Sequence, residues 1–88
     1  INIIKKFGLY RTRVLRLFPQ QCYTYHKDPT KRIHIPLISN EKCFMIVDKE
    51  LMQLPADGSY HLIDTTQLHT AINAHERKER IHIVGCVG

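Results

Sequence analysis

Six histidines, three cysteines and thirteen lysines and arginines could carry chemistry in this chain. The tetrapeptide Arg-Ile-His-Ile occurs at 32–35 and again at 80–83, so His34 and His82 hold matching positions in two alternating stretches. If those stretches are neighbouring strands, both imidazoles share one face near Arg32 and Arg80, where a metal or a phosphate could sit. Zinc requires four ligands in tetrahedral reach, and no Cys or carboxylate is spaced to complete such a set. The two histidines are therefore read as polar positions on alternating strands, and no metal site is expected. The second cluster is Cys22-Tyr23-Thr24-Tyr25-His26. A Cys–His pair supports nucleophilic chemistry when a third group orients the imidazole, and this one lies in an apparent loop without such a group. Gly8, Gly58, Gly85 and Gly88 are scattered and form no phosphate-cradling loop. The sequence thus predicts no catalytic residue, no cofactor and no enzyme.

Charge is the stronger signal. Residues 1–27 hold Lys5, Lys6, Arg11, Arg13, Arg16 and Lys27 and no acid, while residues 28–88 hold seven cations and eight acids, within an overall charge of +5. A basic arm on a near-neutral body suits an anionic partner. Tyr23 and Tyr25 interleave with His26, Lys27, Lys31 and Arg32, and RNA binders stack unpaired bases on such rings. The expected RNA-binding set is therefore Lys5, Lys6, Arg11, Arg13, Arg16, Tyr23, Tyr25, Lys27, Lys31 and Arg32. The function this implies is a non-enzymatic structural component of a large RNA–protein assembly, first of all a mitochondrial ribosome. Its partners would be rRNA and neighbouring proteins, with no small-molecule substrate. The alternatives are an accessory subunit of a mitochondrial membrane complex and a free-standing small RNA-binding protein. The acid-free, Arg-containing N-terminus resembles a mitochondrial targeting segment, which points to the matrix.

The elements that would carry these residues follow from periodicity. At 100° per residue, Ile3, Phe7, Tyr10, Val14, Leu17 and Phe18 gather on one face, opposite Lys5, Lys6, Arg13 and Arg16. This predicts a basic amphipathic helix over 1–18, ended by Pro19, then a loop over 19–31. Residues 32–88 form the one domain body. Ile33, Ile35 and Leu37 alternate as a strand, placed at a sheet edge because Pro36 has no N–H. Residues 43–47 (CFMIV) and 81–87 are apolar on both faces, as in doubly covered strands, and 60–63 is a short strand. Asp64 with Gln67 reads as a capping box that opens a helix over 65–79. The expected fold class is α+β, with β-β-β-α-β order behind the N-terminal helix. One helix covers one sheet face, so a neighbouring chain is expected on the other. Cys43 and Cys86 sit in apolar runs and are expected to be buried free thiols. No apolar run approaches the length of a membrane span.

Leu9-Tyr10-Arg11, with Arg13, Leu15, Arg16 and Phe18-Pro19, resembles the first helix of the LYR-motif family of small mitochondrial adaptor proteins. That likeness covers about a dozen residues and would imply a three-helix bundle. Residues 32–63 alternate like strands instead, so the family's acyl-carrier binding is not carried over.

Overall fold

The computed structural model of the chain describes residues 3–88, and side chains from Lys5 onward. The chain is built of strands: β1 (Tyr10–Leu17), β2 (Gln21–Cys22), β3 (Arg32–Ile38), β4 (Cys43–Val47), β5 (Glu50–Met52), β6 (His61–Ile63), β7 (His69–Asn73) and β8 (Arg80–Cys86), after a five-residue helix α1 (Ile3–Phe7). They form two four-stranded sheets, in the orders β1-β8-β3-β6 and β2-β7-β4-β5. Every pairing is antiparallel: the first strand lies beside the last, the second beside the seventh, the third beside the sixth and the fourth beside the fifth. This is one long hairpin rolled up, with β3·β8 and β4·β7 closing the roll. Such a double-sheet jelly roll buries one face of each sheet against the other.

The α+β expectation is therefore corrected: the chain is nearly all β. The helix expected over 1–18 shrinks to α1, and residues 1 and 2 lie outside the described residues. Gly8 adopts a left-handed backbone (φ 59°) that ends α1, and from Tyr10 the chain pairs with β8. The helix expected over 65–79 is also absent. Asp64 does form its side-chain bonds, accepting from the Thr66 amide (3.2 Å) and the Thr66 hydroxyl. These close a turn, after which His69–Asn73 runs as a strand. Asn73 is fully buried and donates to the carbonyls of Leu17, Phe18 and Lys78, bonds that tie the end of β7 to β1 and to the loop before β8.

The strands expected near 33–37, 43–47, 60–63 and 81–87 are present as β3, β4, β6 and β8. Pro36 is not on an edge strand, because β3 lies between β8 and β6. It is tolerated beyond His34, the last β3 residue paired with β6, where the β3–β8 register also shifts. The second sheet takes the place of the expected covering helix and buries the inner face of each sheet, while Phe44, Ile46, Ile81 and Ile83 on the outer faces are only partly buried. Leu17, Met45, Val47, Leu54, Ile63 and Ala71 meet between the sheets as the core. Cys43 and Cys86 are buried free thiols and Cys22 is exposed. Among the described residues no helix is long and apolar enough to cross a membrane.

Candidate metal centre and its cavity

Register decides what faces the inside. On β7, His69, Ala71 and Asn73 point inward and are buried. The chain after β2 continues alongside it: the Tyr23 amide donates to the Ala71 carbonyl (3.0 Å), and His26 and His69 exchange both backbone bonds (3.1 and 3.0 Å). Tyr23 thus stands opposite Ala71, and His26 opposite His69, with one extra residue between them that keeps both on the inner side. The Asp28 amide then donates to the Thr65 carbonyl (2.8 Å), fixing the carboxylate at the same level. The stretch expected to be a loop is in fact a ladder that delivers three functional groups to one point.

His26, Asp28 and His69 place one ligand atom each within 4.8 Å of one another. Both imidazoles are oriented identically. His26 Nδ1–H donates to the Thr24 carbonyl (2.8 Å) and His69 Nδ1–H to the Gln67 carbonyl (2.9 Å). In the neutral ring this leaves Nε2 as a lone pair. His26 Nε2 lies 3.5 Å from Asp28 Oδ1, and His69 Nε2 lies 3.2 Å from Asp28 Oδ2. Oδ2 is nonetheless buried without a hydrogen-bond donor. Two nitrogen lone pairs and a carboxylate converging without protons repel unless a cation sits among them. Backbone carbonyls that hold the far nitrogens of ligating histidines are the usual outer shell of a metal site. The donor set fits a divalent metal, and two histidines with one carboxylate is the set of non-haem iron(II) oxygenases, which leaves positions open for reactants. Arg32 Nη2, 3.3 Å from Asp28 Oδ1, holds the carboxylate from the other side.

The three ligands open into a cavity of about 230 Å³ between the sheets. Its floor is Ala71, flanked by Tyr23 on one side and by Met45, paired with Ala71 across β4, on the other. The small Ala71 side chain leaves the space. The opposite wall carries Arg13, His34, Val84 and Arg80. Arg80 is 2 % exposed, and among the described residues no carboxylate pairs with it. Its one side-chain bond goes from Nη2 to His82 Nδ1 (2.8 Å). Since Nδ1 accepts there, the His82 proton sits on Nε2, which is buried without a partner. His34 Nδ1, 3.0 Å from the same atom, is then a second donor. Burial first, then the positive Arg80, push His34 down to about 3 and His82 down to about 2. Burial pushes Arg80 down too, opposed by the Cys43 thiol and the Tyr23 phenol. The wall is neutral imidazole around one buried positive charge.

Of the ten residues expected to meet RNA, Arg13, Tyr23 and Arg32 line this cavity. Lys5 and Lys6 lie on α1, Arg11 and Arg16 on β1, all exposed. Tyr25, Lys27 and Lys31 are exposed around the metal-ligand segment. His34 and His82 do share a face, as their repeated tetrapeptide suggested, and there His82 meets both His34 and Arg80. In the sequence His26 pairs with Cys22 and the tyrosines, and nothing in that cluster singles out Asp28 two residues on. The available signal was His-x-Asp followed by a second histidine at the start of a strand.

A comparison with curated proteins returned no match. The family model described as aspartyl/asparaginyl beta-hydroxylase matches residues 2–86, nearly the whole chain. A family of enzymes overturns the reading of a non-enzymatic ribosomal component. With that reading go rRNA and ribosomal neighbours as the expected partners, and the RNA-binding description as a whole. The chain belongs to the aspartyl/asparaginyl beta-hydroxylase family.

Proposed function

We propose that the chain is the catalytic core of a metal-dependent hydroxylase acting on the β carbon of an aspartyl or asparaginyl group. The observation that carries this reading is the convergence of His26, Asp28 and His69 at the mouth of a cavity whose far wall holds the unpaired guanidinium of Arg80. A ferrous ion held by His26, Asp28 and His69 would supply open coordination positions for dioxygen chemistry. Placing one oxygen atom in a C–H bond leaves the other to be reduced by two electrons from a co-substrate. A 2-oxo diacid meets the site's demands: its oxidative decarboxylation would yield the two electrons, and its distal carboxylate suits Arg80. A charge-assisted, bidentate pair of this kind is among the stronger hydrogen-bonded contacts. His34 and His82, held neutral, orient the guanidinium without competing for the anion. The substrate enters from the side of Arg13, Tyr23 and His26, the exposed members of the lining.

The test is anaerobic titration with iron(II), followed by oxygen uptake in the presence of 2-oxoglutarate. One metal per chain and uptake that requires the oxo acid are expected. In Arg80→Met the apparent affinity for 2-oxoglutarate should fall about 10–100-fold, the worth of a charged hydrogen-bonded pair, with iron affinity unchanged. Failure to bind iron, or oxygen uptake indifferent to the oxo acid, overturns the reading.

A further inference from the structure

Tyr23 is an oxidisable ring set one ladder step from the metal ligands. It stands opposite Ala71, while His26 stands opposite His69 two residues along the same strand. Same-side neighbours at that spacing lie roughly 7 Å apart, a gap that a phenol ring spans. The ring lines the cavity that Arg80 also lines. Only the small Ala71 side chain stands beside it on the floor, and Tyr23 is 37 % exposed, so an empty cavity leaves the ring bare to the reaction zone. Met45 flanks Ala71 from the far side, on β4, and is 3 % exposed. His26 and Asp28 belong to the same segment as Tyr23, which puts the reacting centre at Tyr23's edge of the floor.

We propose that Tyr23 is a self-hydroxylation site: when no substrate fills the cavity, the ring carbon next to the phenol carbon takes the oxygen atom meant for the substrate, and the side chain becomes a catechol. This rests on the hydroxylase reading above. One atom of dioxygen forms the new C–O bond, and the displaced ring hydrogen ends on the new hydroxyl. The other atom enters the 2-oxo acid, whose C1–C2 bond breaks, releasing carbon dioxide and an acid one carbon shorter. That oxidation supplies the two electrons.

The experiment incubates the protein with iron(II), 2-oxoglutarate and ¹⁸O-labelled dioxygen, with catalase present and no substrate, and maps the products by peptide mass spectrometry. The peptide containing Tyr23 should gain one labelled oxygen, and the solution a visible catecholate–iron band. Both should vanish without oxygen or without 2-oxoglutarate. Tyr23→Phe keeps a ring in reach and should gain one oxygen without the colour, whereas Tyr23→Ala should leave that peptide unlabelled. An unlabelled Tyr23 while 2-oxoglutarate is consumed, or label confined to Met45, overturns the proposal and leaves the hydroxylase reading standing. Absence of iron binding or of 2-oxoglutarate consumption fells both.

Discussion

Two histidine pairs face the same space, and they have opposite chemistry. His26 and His69 turn their Nε2 lone pairs toward the carboxylate of Asp28. His34 and His82 turn their Nδ1 atoms toward each other, 3.0 Å apart, beside the guanidinium of Arg80. Imidazole is common to both. The third group, a carboxylate in one case and a guanidinium in the other, decides whether the pair collects a cation or helps to collect an anion. Exposure separates them at one member only: His26 reaches solvent, while His69 and His34 are both buried and Arg80 and His82 are 2 % and 1 % exposed. A metal needs open positions for reactants, and an anion seat gains from exclusion of water.

The largest effect should come from erasing the charge that distinguishes the pairs. Asp28→Asn keeps the shape of the carboxylate and an acceptor for Arg32, but removes the negative charge among the lone pairs. Iron affinity should fall by at least on the order of 100-fold, as for losses in a metal's ligand shell, and hydroxylation with it. The metal-free protein should melt at much the same temperature. Calorimetric titration and a thermal melt check both halves. A variant that binds iron as tightly as the parent would show that Asp28 is a structural partner of Arg32 and not a ligand.

How much of this was legible in the sequence depended on whether the pattern was local. The strands β3, β4, β6 and β8 were legible, because Ile33/Ile35, CFMIV and IHIVGCV signal strands by alternation or unbroken apolar runs. β1 was not, because its apolar residues fit the 3.6-residue period as well as the two-residue one. In the structure Leu15 and Leu17 turn inward beside Arg13, and Thr12, Val14 and Arg16 turn outward. β7 was hidden by Asp64, whose bonds to Thr66 start a helix or close a turn equally well. What followed was decided far away, by Asn73 reaching Leu17 at the end of β1 and Phe18 just beyond it. The metal centre was half legible: His26 drew notice, but its partner His69 lies across a ladder that only the rolled hairpin creates. The repeated Arg-Ile-His-Ile did report a shared face. It gave no hint that Arg80 would be left without a counter-ion.

Acid should separate the pairs next. His34 and His82 are held down to about 3 and about 2, so both stay neutral in the folded chain while the unfolded chain takes up protons near 6.5. Between those limits the unfolded state binds more protons, so stability rises with pH. Read downward, the loss begins near pH 6.5 and grows until the folded-state values are reached. By pH 4.5 it amounts to about 2–3 kcal/mol for each histidine. Urea melts from pH 7 to 4.5 measure it directly. His82→Gln, which cannot titrate, should flatten that slope. An unchanged slope would show that His82 does not carry the acid sensitivity.

The smallest effect should come from the basic residues that dominate the sequence. Arg16 and Arg80 are both guanidiniums near the ends of paired strands, Leu17 of β1 standing opposite Arg80. Arg80 is buried with no carboxylate. Arg16 is half exposed, meets Glu79 at 3.3 Å and lies over the Phe18 ring at 5.6 Å. An exposed ion pair contributes about 0–1 kcal/mol, because water screens the attraction and two long side chains lose freedom. The ring contact adds about 0.5 kcal/mol at such a site. Arg16→Gln should therefore lower stability by less than about 1 kcal/mol and leave iron binding and 2-oxoglutarate affinity as in the parent, whereas Arg80→Met alters the second of these. A chevron or urea melt, read beside the oxygen-uptake assay, makes the comparison. If Arg16→Gln impaired oxo-acid binding as much as Arg80→Met, burial would not be what distinguishes the guanidinium that binds the co-substrate. The anion seat would then have to be placed at the exposed edge of β1.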